Sequence, residues 1–437
     1  MNCFSHITPV LALVAANVMA QGTVTIYGTV SDKSGAVVPN VEITISNTLT
    51  GASRSVKSND TGNYVAPQLA VGVYSVRAQM QGFKSFVQDK IQVQVDENRQ
   101  VNILLEVGSL AESVEVQAEV TQVETRSGSI REVVDSARIV GLPLNGRNPL
   151  QLTRLVAGSG GVAGKDQGQN ETVSINGART NSNNYQLDGG DNHDPYFNAP
   201  AIFPNPDALD EFSIQTNSYG ADRGRNAGAF MTAVTKSGTN QFHGSLFEFL
   251  RNEKMNARNF FSTTVPPFRR NQYGGTIGGR LLRDRTFFFG SFQGTSERSA
   301  PGAVTATVPT EAQRRGDFSS SRITLRDPNG GTFPGNIIPS SRLNAASQKF
   351  LQAFVPLPNL ANGILTTASQ QKVDDYQGVV KLDHRFTNAN SISGRLLRNK
   401  NDFQEATGNL PGFFALINYQ NWNAAVTKSG TNQFHGS

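Results

Sequence analysis

The 437-residue chain is only 37% hydrophobic and 17% charged, with 42 glycines, a mix suited to short strands, turns and long polar loops rather than to a compact enzyme core. Its net charge of +5 is spread over scattered Lys and Arg with no long basic run and no nucleic-acid motif, so it reads as a solvated surface. The one cysteine, Cys3, leaves no basis for a disulfide framework or a cysteine metal site.

From the N-terminus, residues 7–20 (ITPVLALVAANVMA) form an apolar run too short to span a bilayer as a helix. The run ends in Val18-Met19-Ala20, small residues suited to cleavage before Gln21. A secretory signal peptide is expected over 1–20, although no Lys or Arg precedes the run. From about 23 to 108 the chain alternates apolar and polar residues in TVTIYGTV (23–30), VEITISN (41–47), GVYSVRAQM (72–80), IQVQV (91–95) and QVNILLEV (100–107). Turn signals at Asp32 to Gly35, Pro39-Asn40, Asp60 to Asn63 and Gly82 separate them. Short alternating strands at this spacing predict an antiparallel β-sandwich. Gly28-Thr29-Val30, Gly35, Pro39, Val41, Ile43, Ile45, Thr61-Gly62-Asn63-Tyr64, Leu69, Gly72-Val73-Tyr74 and Gly82-Phe83 together resemble the carboxypeptidase-regulatory-like domain, a small transthyretin-like sandwich without an active site. The five histidines (His6, His193, His243, His384, His435) show no zinc-peptidase spacing, so the resemblance implies no peptidase activity.

A second region, 109–238, opens with SVEVQAEV (113–120) and continues with GLPLNGRNPLQLTRLVAG (141–158), where Leu150, Leu152, Leu155 and Val156 are expected on one helix face. SINGARTNSNNYQLDGGDN (174–192) and DALDEFSIQTNSYGADRGRNAGAFMTAVTKSGTN (207–240) follow. The motifs LPLNGRN, INGARTNSNNYQLDG and TKSGTNQFHGS, in this order behind such a sandwich, resemble the α+β plug domain of TonB-dependent outer-membrane transporters, and within them the Oar-like subgroup. The resemblance carries plug-motif roles to Asn145, Gly146, Arg147, Asn176, Gly177, Arg179, Asp188 and Gly189. It implies a periplasmic N-terminal domain and an inner-membrane transducer that pulls on a TonB box, for which Val114, Glu115 and Val116, within Val114 to Glu119, are the candidates. GSGGVAGK (158–165) is not a phosphate loop: Ser159 stands where the first glycine belongs and Asp166 follows the lysine. Asp188, Asp191 and Asp194, beside His193, offer oxygen ligands for a hard cation, but the spacing is not that of an EF-hand and Gly189-Gly190 signals a turn. An acidic surface turn is expected there, with no metal and no cofactor.

From about 239 the chain reads as barrel strands. Tyr273, Ile277 and Leu281 share one face against Gln272, Thr276 and Arg280, Phe288 pairs with Phe292, and Val380, Leu382 and Phe386 alternate with Lys381, Asp383 and Arg385. That is the apolar-out, polar-in dyad of a membrane barrel. Six strands are expected, at 241–251, 271–282, 286–294, 376–386, 391–399 and 413–424, with a long, aperiodic loop over 297–372. The fold class is therefore mainly β: sandwich, plug, and the first strands of an incomplete outer-membrane β-barrel over 239–437. AVTKSGTNQFHGS occurs at 233–245 and again at 425–437. With too few strands to close around a plug, the second copy suggests a fragment of a longer transporter with a misjoined tract. No GxSxG elbow or other nucleophile constellation appears, so no enzyme is expected. The implied function is energy-coupled uptake across the outer membrane, with outer-membrane lipid and an unidentified oligosaccharide, peptide or metal chelate as further partners. The alternative is a secreted or surface-attached β-sandwich adhesin.

Overall fold

In the computed structural model the described residues are 24–109, 113–115, 128–163, 172–194, 198–220, 223, 227–258, 260, 265–300, 304–367, 371–388, 390–406 and 414–429. The expected signal peptide lies outside them. Nine strands build the sandwich: β1 Val24–Asp32, β2 Glu42–Asn47, β3 Ser53–Lys57, β4 Asn63–Leu69, β5 Gly72–Gln79, β6 Ser85–Val93, β7 Asn98–Gln100, β8 Ile103–Leu105 and β9 Ser113–Glu115. One sheet runs β4-β1-β7, with β8 also paired to β1, and the other runs β3-β2-β5-β6-β9. Alternation places Ile26, Ile43, Ile45, Val76 and Ile103 in a common core, as period-two patterning requires. Tyr64 fills its centre and donates its hydroxyl proton to the Val101 carbonyl at 2.7 Å, so its buried polar tip is satisfied.

The central body follows. It contains β10 Ile130–Asp135, α1 Ser136–Gly141, β11 Ser159–Ala163, β12 Thr172–Ile175, β13 Asn184–Leu187, the two-residue β14 Gly190–Asp191, β15 His193–Asp194 and β16 Ala199–Pro200, then β17 Leu209–Asn217 and β18 Phe230–Thr235. Its main sheet runs β10-β17-β18-β13-β14. Phe212, Ile214, Met231 and Ala233 pack on one side with Leu150, Leu152 and Val156. The segment Pro149–Leu155 is a 3-10 helix opened by the Asn148 side chain, which accepts from the Leu150 amide at 3.0 Å. Leu150, Leu152, Thr153 and Val156 are buried, whereas Leu155, the last residue of the helix, is exposed. The expected helical face is corrected at Leu155, which lies outside the core where the helix ends and the chain turns extended at Val156.

Six long strands form one antiparallel meander: β19 His243–Asn252, β20 Phe268–Leu282, β21 Thr286–Ser299, β24 Gln371–Arg385, β25 Ser391–Ala406 and β26 Phe414–Ser429. Between β21 and β24 lie β22 Val304–Thr307, β23 Ile364–Thr367, α2 Glu311–Arg314 and α3 Ala345–Phe354. The loop expected to be aperiodic is thus an organised cap. β22 pairs with β23, α2 carries a Thr310/Gln313 capping box and Val308, Val355 and Leu365 make a small core. The meander strands also run past the expected ends. Beyond Gly294 and before Tyr376 every residue but Val373 is polar, and Arg298 and Asp374 pair across β21 and β24 at 2.8 Å; alternating hydrophobicity fades where a strand leaves the apolar layer.

One face of the meander carries Tyr273, Ile277, Leu281, Phe292, Val380, Leu382 and Leu396, all exposed. The other presents Gln272, Ser291, Gln293, Gln377, Lys381 and Arg395, all buried, and contributes Phe289, Val379 and Leu397 to the central body's own core. The body therefore sits on the polar face. No closure of the sheet appears among the described residues. Ala233 to Thr235 of the repeated stretch end β18, and His243 opens β19. The second copy begins in β26, where Ala425 pairs with Arg395, and residues 430–437 lie outside the described residues. The sandwich sits at the short-turn end of the meander. Leu49 accepts from the Asn240 amide at 3.2 Å, and Asn240 is tied by its side chain to Asp284 at 2.7 Å in the β20–β21 turn.

Candidate functional site: the seam between body and wall

Leu144-Asn145-Gly146-Arg147-Asn148 is a tight turn in which Gly146 (φ 72°) and Arg147 (φ 56°) are both left-handed. Glycine makes the first of these inexpensive. The second throws Arg147 out of the body and into the wall. Its guanidinium donates to Gln293 of β21 at 3.1 Å, pairs with Asp207 and lies over the rings of Phe247 and Phe249 at 4.3 and 4.5 Å. Burial pulls the Arg147 guanidinium down to about 10, which leaves it charged at neutral pH. Gly146 accepts from Gln272 at 3.1 Å, and the Asn145 side chain accepts from Arg270 and Arg251 at 3.0 and 3.2 Å. The turn thus engages β19, β20 and β21 together. Asn205 adds a further tie, donating to Ser291 at 2.9 Å. A cavity of about 440 Å³ lies beside the turn, lined by Leu142, Pro143, Phe249, Arg251 and Arg270.

Asp188 and Gly189 are the two central residues of the β13–β14 hairpin, at φ 50° and 78°. Asp-Gly suits this doubly left-handed turn. The expected acidic surface turn is corrected here: Asp188 is 3% exposed. Its oxygens accept from the Thr235 amide and hydroxyl, both at 2.8 Å. The same carboxylate meets Arg395 Nε of β25 at 2.6 Å and Lys381 Nζ of β24 at 3.6 Å. Lys381 also donates to the Thr235 carbonyl at 3.1 Å. One buried anion is thus held by two buried wall cations. With its lone pairs occupied, Asp188 does not gather with Asp191 and Asp194, and no group of three metal-ligating side chains occurs among the described residues.

Asn176 (φ 52°) and Gly177 (φ 75°) form a separate turn, where the Asn176 side chain donates to the Thr216 carbonyl at 3.0 Å. Asn176, Gly177 and Arg179 are exposed and shape the body rather than the seam. Of the expected motif residues, the structure brings Asn145, Gly146, Arg147 and Asp188 to the wall. Sequence reasoning placed Lys381 on the polar face but missed its partner, and missed Arg395 and Asp207 altogether. In the box candidate, Val114 and Glu115 lie in β9, paired in parallel with β6 at Phe86 and Val87. Val116 to Glu119 lie outside the described residues.

On the side of the main sheet facing the sandwich, Glu211 accepts from the Val95 amide at 2.6 Å. Burial pushes the Glu211 carboxyl up to about 8 from an ordinary 4.5. A carboxyl raised in the folded state keeps a proton the unfolded chain loses, so stability falls as pH rises from about 4.5 to about 8 and then levels off. Glu211→Gln should remove that slope, of at most about 1.4 kcal/mol per pH unit. Urea midpoints of wild type and variant between pH 4 and 9 measure it; parallel profiles would contradict the assignment.

Residues 234–425 match the outer membrane β-barrel domain family and residues 25–106 the carboxypeptidase regulatory-like domain. The chain is 28% identical over 350 residues to the TonB-dependent transporter Oar of Myxococcus xanthus, an alignment covering 77% of this chain and 32% of that protein. It therefore spans about a third of the length of this relative. Among solved structures, the outer membrane transporter YddB of Escherichia coli aligns with TM-score 0.47 and 14% identity over 69% of this chain and 37% of that one. A mutant ferric enterobactin receptor of Pseudomonas aeruginosa aligns with TM-score 0.40 and 13% identity over 70% and 38%. The chain is thus a homologue of TonB-dependent transporters, with one region that matches the carboxypeptidase regulatory-like domain and another that matches the outer membrane β-barrel domain.

Proposed function

We propose that the chain acts as an outer-membrane receptor and transporter, with 109–238 as its plug, 239–437 as its barrel wall and 23–108 as a periplasmic accessory sandwich. The observation that carries this is the seam. A plug must be held in the lumen yet be able to move, and polar ties do this better than an apolar core. Asp188 against Lys381 and Arg395, and Arg147 against Gln293, are such ties. The wall's apolar outer face fits lipid. Ligand enters from the capped, long-loop end, where Arg251 and Arg270 border the cavity beside Asn145. An oligosaccharide, a peptide and a metal chelate are all compatible with that mixed lining. A TonB-type transducer acts at the opposite end, through Val114 to Glu119.

A photo-crosslinking residue at Val114 or Val116 tests the coupling. Crosslinks to the inner-membrane transducer, lost when that protein is deleted, are expected. Crosslinks confined to the sandwich in both strains would overturn it.

A further inference from the structure

The turn between β6 and β7, Gln94 to Glu97, inserts into the polar side of the plug sheet. Its tip is Asp96, left-handed at φ 60°, with a side chain only 1% exposed. Asp96 Oδ1 accepts from Arg223 at 2.8 Å, and Oδ2 accepts from Thr232 at 3.2 Å and Gln215 at 3.3 Å. Next to it, the Val95 carbonyl accepts from Arg131 at 2.9 Å, while its amide donates to Glu211. Strands β10, β17 and β18 are therefore all gripped by two consecutive residues of the sandwich. A second foot rests on the wall. Leu49 binds Asn240 through the backbone, and Gly51 (φ 68°) lies so close to Asp284 that an added Cβ would stand 2.5 Å from its Oδ1.

We propose that the sandwich is a strap across the mouth of the plug: it joins the plug to the barrel rim through Asp96 and the Leu49–Gly51 turn, and must release Asp96 before the plug can move. The docking stands on this geometry alone; that its release frees a moving plug rests on the receptor reading above. The joint is suited to opening. It is polar, unlike the core on the opposite side of the same sheet, and the Ser213 hydroxyl beneath it is buried without a hydrogen-bond partner among the described residues. Polar interfaces between domains part more readily than apolar ones. Withdrawing Asp96 breaks its ion pair with Arg223.

Hydrogen exchange on the full chain in detergent tests the strap. In Asp96→Ala, the peptide covering Gln94 to Glu97 should exchange roughly ten- to a hundredfold faster, the loss expected for hydrogen bonds to a charged group. β1 and β5 of the sandwich, and β20 and β21 of the wall, should keep their wild-type rates. The urea concentration at which β13 and β18 lose protection should also fall. Gly51→Val should lower that concentration by an independent lesion at the other foot. If Asp96→Ala instead speeds exchange in β1 and β5, the sandwich itself has unfolded, and Arg223→Gln, made on the plug side, decides: faster exchange at 94–97 supports the strap. Unchanged exchange there in both variants, or an unchanged plug midpoint in Asp96→Ala and Gly51→Val alike, overturns the proposal. Failure of the transducer crosslink would leave these exchange results standing, so the two readings fail separately.

Discussion

Asp188→Ala should destabilise the plug by about 3–5 kcal/mol, the usual consequence of leaving buried charge without its partner. The variant strands two cations at once, Lys381 and Arg395, each almost fully enclosed. It also unpairs the Thr235 amide, which has Asp188 as its acceptor. Asp188→Asn separates the two effects: it keeps an oxygen for Thr235 but not the charge. Adding Lys381→Met to Asp188→Asn should recover part of the loss, because one of the stranded cations is gone. Urea unfolding followed by exchange in β13 and β18 gives all three values. A cost below about 1 kcal/mol for Asp188→Ala would mean that water already reaches the site and that the seam is not held there.

Arg147→Met should cost a comparable amount, about 3–5 kcal/mol, by stranding Asp207. Here the conservative change is the more telling one. Arg147 meets an amide oxygen, a carboxylate and two ring faces together. A planar fork can do this; an ammonium group on a thin stem cannot. Arg147→Lys should therefore restore less than half of what Arg147→Met removes, in the same unfolding measurement. Full rescue by lysine would reduce the site to a bare charge pair.

Much of the wall was legible in the sequence because a membrane strand has one chemical rule. Tyr273, Ile277 and Leu281 against Gln272, Thr276 and Arg280 follow it. Where the rule stops, at Glu297, Arg298 and Asp374, the strand ends became invisible although the pairing continues. The sandwich was legible for the same period-two reason. β17 was not: Glu211, Ser213 and Gln215 alternate with Phe212 and Ile214 as if one face were wet, yet all of these are buried because the Gln94 to Glu97 turn covers the polar side. Leu155 was misplaced because the helix ends there and Val156 turns extended, an end that the spacing of the leucines does not mark. Asp188 was read as a solvated turn because Asp-Gly fits one equally well; its true setting depends on Lys381 and Arg395, roughly two hundred residues away, which no local pattern links to it.

The meander should have lipid on one side and the plug on the other. Spin labels placed singly at Gly378, Val379, Val380, Lys381 and Leu382, with the protein in lipid bilayers, test this directly. Collision with lipid-soluble oxygen should be high at 378, 380 and 382 and low at 379 and 381, with little access for a water-soluble nickel complex throughout. High nickel access at 378, 380 and 382 would put that face in water, contradict the membrane wall, and leave the secreted binding protein as the better reading.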